Sequence, residues 1–148
     1  MSYILIPAST VSNPEQPYGV SLNFNQNGVF EKITSADLQG LENLKNLLLT
    51  FPGERSGDWI NYGCNLKLLI FEQNTLDIKT QIQDVIVSAV STWLGGYINI
   101  QSIDIITADD DSTMEYSIKV TIRFTVTSSR LEQQIEIGAT ETGVITII

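Results

Sequence analysis

Few residues in this sequence could carry catalysis. The chain of 148 residues contains no histidine and a single cysteine, Cys64. Without histidine the commonest general base, the usual catalytic triads and the commonest metal ligand are all missing. One cysteine cannot form an internal disulfide or a cysteine-only metal site, and no histidine is present to activate its thiol. We therefore expect neither a nucleophilic cysteine nor a bound cofactor.

Two groups of charged residues could form a site, but each also has a simpler interpretation. The run Asp109-Asp110-Asp111 lacks the alternating ligand spacing of a calcium loop, which favours an exposed turn between strands. The run Gly53-Glu54-Arg55 could be a helix stop followed by a solvated charge pair. Alternatively, the Arg55 guanidinium could hold carbonyl or carboxylate groups of the loop that leads to Tyr62.

The overall composition narrows the class of protein. Hydrophobic residues make up 43% and charged residues 17%, which is typical of an ordered globular chain, and the net charge is −9. An acidic protein of this kind is not expected to bind nucleic acid or an anionic membrane surface, because both need clustered basic residues. The short apolar stretch near the N-terminus ends at Pro7 and predicts neither a secretory signal nor a membrane span.

The first half of the chain predicts an arm, a hairpin and a helix. Prolines in residues 1–18 indicate an extended arm. Alternating apolar residues on either side of Asn27-Gly28 predict a hairpin with a tight turn. Ser35 could then cap a helix that places Leu38, Leu41, Leu44 and Leu48 on one face and ends at Pro52-Gly53.

The second half predicts two further helices and an antiparallel sheet. A short helix before Phe71 precedes a longer one, which Asn74 caps, with Asp77 in its first turn and Gly95-Gly96 at its end. From Ile98 the pattern alternates with period two, and a change of parity predicts a bulge near Gln101-Ser102. The fold class expected is α+β. We expect an extended arm over residues 1–18 and a single domain over residues 19–148. This domain would contain the hairpin and two or three helices on one face of a mostly antiparallel C-terminal sheet.

One central motif resembles a known family. It reads Leu47-Leu48-Leu49-Thr50-Phe51-Pro52-Gly53-Glu54-Arg55, then Tyr62-Gly63-Cys64-Asn65-Leu66, then Leu69-Ile70-Phe71-Glu72. This is similar to the baseplate wedge and sheath-initiator family of contractile-tail phages, whose pattern is Thr-x-x-Gly-x-Arg, Tyr/Phe-Gly-Ser/Cys and Leu-Phe-Glu. The likeness covers roughly residues 20 to 137. The chain departs from the family after Phe71-Glu72, where Gln73 replaces a common proline, and at the end of the long helix. There Leu94-Gly95-Gly96-Tyr97 replaces Glu-Pro-Arg or Leu-Pro-Tyr.

The resemblance implies an assembly protein of the virion. Its partners would be other baseplate wedge proteins and the tail sheath protein, with tube or hub proteins as further candidates, and it would be assembled in the host cytoplasm into the tail baseplate. The equivalent subunit of a tailocin or a type VI-like contractile device is the alternative.

The same resemblance divides the candidate residues into two sets. The motif residues are expected to hold the fold: Thr50, Gly53, Glu54, Arg55, Tyr62, Gly63, Phe71 and Glu72. The partner contacts are expected at Trp59, Leu94, Gly95, Gly96, Tyr97, Val144, Ile145 and Ile147. The last three lie in an apolar C-terminal run that could be an edge strand of the protein's own sheet or a strand shared with a neighbouring chain.

An enzyme remains a third possibility, because members of this family are often labelled lysozyme-like. A muramidase needs one carboxyl of raised pKa and a second carboxylate across a cleft, for which Glu54 and Glu72 are the candidates near the motif. If Glu54 pairs with Arg55, the pKa of Glu54 is lowered, which is the wrong direction for a general acid. The sequence therefore predicts no enzymatic activity.

Overall fold

A computed structural model describes residues 19–24, 26–71, 77–107, 110, 118–139 and 145–147 of the chain. The strands are β1 (Gly19–Phe24), β2 (Phe30–Ile33), β3 (Ile98–Thr107), β4 (Ile118–Val126), β5 (Glu132–Ala139) and β6 (Ile145–Ile147). The helices are α1 (Ala36–Leu49), α2 (Leu66–Phe71) and α3 (Ile78–Trp93), with a short 3₁₀ helix at Gly57–Trp59. The predicted arm of residues 1–18 lies outside the described residues, so its boundary stays a prediction.

The predicted N-terminal hairpin is confirmed. β1 and β2 pair antiparallel, and Gly28 in the connecting turn has a φ of 73°, a conformation that glycine adopts without steric cost. The rings of Phe24 and Phe30 stack across the two strands with centroids 4.4 Å apart. Both rings are exposed, Ile33 of β2 is buried, and both strands of the hairpin contact α1.

The first helix forms where it was predicted, but its buried face and both ends differ in detail. Leu38 is 55% exposed, and Leu47 instead joins Leu44 and Leu48 in the core. The stripe prediction at Leu38 was wrong because Gly40 faces the sheet, and Leu38, two residues earlier, lies about 160° away around the helix axis. Ser35 occupies the N-cap position without a side-chain hydrogen bond. The helix ends at Leu49, three residues before the Pro52-Gly53 stop expected from the sequence.

The predicted long helix is also confirmed. Its apolar stripe is buried through Ile78, Ile82 and Ile86, as the period of 3.6 residues requires. Asp77 is the N-cap residue and not a first-turn residue, and it makes no side-chain capping bond. The predicted cap Asn74 lies outside the described residues. Gly96 follows the helix with a φ of 83°.

The C-terminal sheet has the strand order β3-β4-β5-β6, with every neighbouring pair antiparallel. Its register confirms the predicted bulge, since Ile100 pairs with Phe124 and Ser102 with Arg123, which leaves Gln101 as the extra residue. The bulge returns Ile103 to the face that already carries Ile100. Without it, the second half of β3 would turn its isoleucines towards solvent.

α1 and α3 lie over one face of this sheet and α2 packs against both helices, so the α+β fold class is confirmed. α1 contacts β4 and β5, while α3 contacts β3. The approach of α1 is close: a Cβ built at Gly40 would lie 2.4 Å from Val126 Cγ2. The sheet contributes Val120, Ile122 and Phe124 to the core with no exposure, whereas the opposite face carries polar residues such as Lys119 and Arg123. The result is a single core between one helical layer and one sheet.

Candidate assembly surfaces

Residues 50–64, termed the signature loop below, are closed at their base by a glycine. Gly63 has a φ of 137°, and a Cβ at this position would lie 2.4 Å from the Thr50 carbonyl oxygen and 2.9 Å from the Pro52 nitrogen. The N–H of the next residue, Cys64, donates to the same Thr50 carbonyl at 2.9 Å. Because backbone passes directly over Gly63, any side chain there would force the two ends of the loop apart.

The start of the signature loop is fixed by hydrogen bonds to the end of α1. The Thr50 hydroxyl donates to the Asn46 carbonyl at 2.6 Å, and the Thr50 N–H donates to the same oxygen at 3.0 Å. Further along, the Gly53 N–H donates to the Ile60 carbonyl at 2.6 Å. These bonds fix both the start and the middle of a loop that contains little regular structure.

Arg55 joins three parts of this region. Its Nη2 donates to Asn46 Oδ1 at 2.7 Å, and its Cζ lies 4.0 Å from the centroid of the Tyr62 ring. Burial raises the pKa of Tyr62, and the nearby Arg55 charge opposes that rise. Glu54 points elsewhere, with its Oε1 3.8 Å from Lys67 Nζ. The guanidinium thus contacts the end of α1 and the second half of the motif together.

Trp59, Tyr62 and Trp93 form an aromatic cluster on the outside of the loop. The Tyr62 and Trp93 ring centroids are 5.3 Å apart, and Trp59 lies 6.0 Å from Trp93. Tyr62 is buried and Trp93 is half-buried, but Trp59 is 56% exposed. Trp59 belongs to the 3₁₀ helix, and the adjacent Ile60 is also exposed. Two neighbouring apolar side chains therefore face solvent on a well-ordered turn.

The corner after α3, at residues 94–97, lies against the start of α1. The Tyr97 hydroxyl donates to the Ala36 carbonyl at 3.2 Å, and the N–H groups of Tyr97 and Ile98 both donate to the Leu94 carbonyl at 3.0 Å. Beside this corner is a groove of about 520 Å³ lined by Gln39, Asn43, Trp93, Leu94 and Tyr97. None of these lining residues is charged, so the groove offers amide and aromatic groups to a partner.

The C-terminal strand lies at one edge of the sheet. β6 pairs with β5 only at Ile137, Gly138 and Ala139. Within the described ranges, no strand pairs with the Glu132–Glu136 half of β5 on the side away from β4. Of the predicted interface residues, Ile145 and Ile147 lie in β6, and Val144 is outside the described residues.

The remaining candidate residues are Cys64, Phe71 and Glu72. Burial raises the pKa of the Cys64 thiol to about 11. Phe71 is the last residue of α2, and Glu72 lies outside the described residues.

The part of the chain that the structure describes holds no group of three or more Cys, Asp or Glu residues that could bind a metal ion. Among the described helices, none has the length and apolar character needed to cross a membrane.

One surface was missed by the sequence analysis. A groove of about 510 Å³, termed the α3 groove below, runs between α3 and residues 61–65. On the α3 side it is lined by Asp84, Ser88 and Thr92. Their spacing of four residues places these polar side chains on one face of the helix, which is a signal that the sequence does contain.

Comparison with known proteins identifies the chain. Residues 41–130 match the profile of the family described as baseplate wedge protein gp25. The match covers more than half of the chain and contains the whole signature loop. It is narrower than the likeness over residues 20 to 137 expected from the motif, so the hairpin and β5 lie outside it. No protein with a curated description matches the chain. The chain belongs to the baseplate wedge protein gp25 family.

Proposed function

We propose that this protein is a non-enzymatic structural subunit of a contractile phage tail baseplate wedge. The observation that carries this proposal is the family match over residues 41–130, because the family is a structural component of phage baseplates. Membership implies a location in the tail of the virion, and assembly would take place in the host cytoplasm. The equivalent subunit of a tailocin or type VI-like device would use the same surfaces, and neighbouring capsid genes would distinguish the phage setting.

The corner at residues 94–97 is proposed as a contact with other wedge proteins. Its groove is neutral, and the Leu94 carbonyl already accepts two backbone N–H groups. A partner would therefore meet the Tyr97 and Trp93 rings and the Gln39 and Asn43 amides. Aromatic residues at a half-buried position commonly anchor such contacts.

The free edge of the sheet is proposed to template the first ring of the tail sheath. β6 (Ile145–Ile147) is the last strand in the order β3-β4-β5-β6, so its outer side has no partner strand within the described residues and offers backbone donors and acceptors. A strand from a sheath subunit could extend the sheet there, with main-chain hydrogen bonds giving affinity and alternating side chains giving register. Tube or hub proteins could contact the remaining surface of the assembled ring.

A truncation tests the templating proposal. Removal of residues 141–148 deletes β6 but keeps Ala139, which is buried in the core. We expect the shortened protein to fold and to enter baseplates, and sheath assembly on those baseplates to fail when viewed by electron microscopy. Leu131→Ser, at an exposed apolar residue that precedes β5, is the matched control and should leave the sheath unaffected. Sheaths of normal number and length on truncated baseplates would refute the templating role.

The muramidase alternative is tested separately. Glu54 is exposed and lies 3.8 Å from Lys67, which is unlike the enclosed acid of a glycosidase. We expect purified protein to leave peptidoglycan intact. Clearing of peptidoglycan that disappears in Glu54→Gln would overturn the non-enzymatic assignment.

A further inference from the structure

The α3 groove has one formal charge among the residues that line it. Asp84 is exposed on α3, and the other polar lining groups are amides and hydroxyls, including Asn61, Asn65, Ser88 and Thr92. Within the described part of the chain, no basic side chain pairs with Asp84. The two basic residues of this region are engaged elsewhere, since Arg55 binds Asn46 and Lys67 lies beside Glu54. The groove is therefore acidic and rich in acceptors.

The hydrogen-bonding groups of the groove suit a donor-rich ligand. The Thr92 hydroxyl already donates to the Ser88 carbonyl at 2.8 Å, so its oxygen remains available as an acceptor. The carboxylate of Asp84 and the amide oxygens of Asn61 and Asn65 are further acceptors. An arginine side chain brings five N–H donors and a lysine three, and neither side chain can accept.

One wall of the groove is aromatic. Trp93 lines it, and Trp59 lies beside Trp93 with ring centroids 6.0 Å apart. Trp93 follows Asp84 by nine residues of α3, about 13.5 Å along the helix axis, so the ring and the carboxylate lie at opposite ends of the groove. Because Trp59 is largely exposed, it can also cover the apolar residues that flank a bound cation.

The walls of the groove are held before any partner arrives. Gly63 fixes the position of the 61–65 segment against residues 50–52, and the Cys64 N–H donates to Thr50. The Cys64 thiol lies 3.9 Å from the Val85 carbonyl of α3, which joins the two sides of the groove. A preformed site loses less entropy on binding than one that must order itself.

We propose that the α3 groove binds an arginine or lysine side chain presented by an apolar segment of a neighbouring baseplate protein. The cation pairs with Asp84, and the apolar residues that flank it cover Trp93 and Trp59 at the other end of the groove. The charge of the groove selects this occupant, since a cation balances its one unpaired carboxylate while an acidic segment would be repelled. This surface rests on the proposed assembly role and adds the chemistry of one partner to it.

A short peptide tests the chemistry without any partner protein. The full chain, labelled with ¹⁵N, is titrated with acetyl-Leu-Arg-Leu-amide and with its citrulline analogue, which has the same shape without the charge. The two tryptophans of the chain give two indole signals that report directly on the groove. We expect saturable shifts at the Trp93 indole and on α3, with the citrulline peptide binding roughly fivefold or more weakly. Equal binding of both peptides, or shifts confined to the open sheet face, would overturn the proposal.

A matched pair of variants locates the site. Asp84→Asn removes the charge of the groove and keeps its shape, while Asp104→Asn removes an exposed carboxylate from β3 on the other side of the sheet. We expect Asp84→Asn to weaken the arginine peptide several-fold and Asp104→Asn to leave its affinity unchanged. Equal effects of the two variants would mean that only net charge matters and would refute a groove site.

Wedge assembly tests the partner. Asp84→Lys should reduce incorporation of the protein into baseplates, and Asp104→Lys should not. Normal incorporation of Asp84→Lys would refute the assignment of the groove to a baseplate partner. The truncation of residues 141–148 is judged by sheath formation on baseplates that have already assembled. Failure of the α3 groove proposal can therefore be distinguished from failure of the sheath-templating proposal.

Discussion

Two residues of the signature loop stabilise it by different physical means. Gly63 does so by lacking a side chain where backbone passes at close range, and Arg55 does so by supplying donors and a charge to groups from two segments. Neither residue is placed to react with a substrate. Their shared effect is to hold the end of α1 against the segment that lines the α3 groove.

Gly63→Ala should be strongly destabilising. The new Cβ would overlap the Thr50 carbonyl at 2.4 Å, and alanine is strained at a φ of 137°. We expect the free energy of unfolding to fall by about 3 kcal/mol or more in urea denaturation. Gly28→Ala is the control, because it has a φ of 73° but nothing within 4 Å of its new Cβ. Its cost should be only about 1–2 kcal/mol, and equal losses would show that the contact with Thr50 is unimportant.

Arg55→Ala should lower stability by about 1–3 kcal/mol, because it removes the shorter of the two hydrogen bonds to Asn46 Oδ1, leaving the Thr50 hydroxyl at 3.1 Å, and uncovers Tyr62. Arg55→Lys should recover little of this loss, since an ammonium group does not reproduce the planar guanidinium. Arg123→Ala, on the open face of the sheet, is the control and should change stability by less than about 0.5 kcal/mol. An unchanged thermal midpoint in Arg55→Ala would make Arg55 a surface contact instead of a loop brace.

Cys64 should make stability sensitive to alkaline pH. Burial raises the pKa of its thiol from 9.0 to about 11 in the folded protein. Between these values the unfolded chain loses the proton and the folded chain keeps it, so stability falls as the pH rises from about 9 to 11. The stability difference between the wild type and Cys64→Ala, measured by urea unfolding, should therefore shrink across this range. A constant difference would mean that the thiol titrates normally.

At the scale of elements, the turn after β3 is tied to the start of α3 through one carboxylate. Lys79 Nζ donates to the two oxygens of Asp110 at 2.8 and 2.7 Å, while the Thr107 N–H and hydroxyl donate to Oδ2 at 2.8 and 2.7 Å. These bonds hold the pKa of Asp110 well below its ordinary value. The three aspartates of this turn were predicted to be exposed, and Asp110 is exposed, but it also links two elements.

Asp110→Asn should therefore destabilise the protein in a manner that depends on pH. A carboxyl whose pKa is lowered on folding stabilises the protein above its ordinary pKa of 3.8, and that stability is lost as the pH falls below this value. We expect the thermal midpoint of the variant to be lower at neutral pH and to approach that of the wild type below pH 4. Asp104→Asn is the exposed control. A midpoint difference that did not change with pH would rule out the charged contact with Lys79.

At the scale of the whole molecule, one core joins the helices to the sheet while the hairpin lies at its margin. The core cluster contains fully buried side chains from three elements: Leu44 and Leu47 of α1, Ile82 and Ile86 of α3, and Phe124 of β4. The hairpin contacts α1, but its buried Ile33 is not part of this cluster and its stacked rings are exposed. A single core of this kind is typical of a domain that unfolds cooperatively.

We therefore expect one unfolding transition, with the midpoint from tryptophan fluorescence equal to that from far-UV circular dichroism. Native-state hydrogen exchange should show the slowest amides in β4, which has a partner strand on both sides, and faster exchange in β1 and β2. Protection of the hairpin equal to that of β4 would contradict its marginal place. Two separated transitions would contradict a single domain over residues 19–148.

The sequence alone determined the features that depend on local spacing. The period of 3.6 residues predicted α3, the period of two predicted β4, and the change of parity predicted the bulge at Gln101. The motif around Arg55 and Gly63 also indicated the family, because its residue types and spacing are specific. Each of these features can be read from a short window of neighbouring residues.

Only the tertiary structure decided which surfaces are covered. Leu38 and Leu48 belong to the same predicted stripe, yet one is exposed and the other buried, because packing turns the face with Gly40, Leu44 and Leu48 towards the core. Gly63 is required because Thr50 passes over it, and the α3 groove exists because residues 61–65 lie beside Asp84 and Trp93. These facts depend on contacts between distant segments, which local periodicity does not encode. The sequence thus determined the elements and the family, and packing decided where a partner can bind.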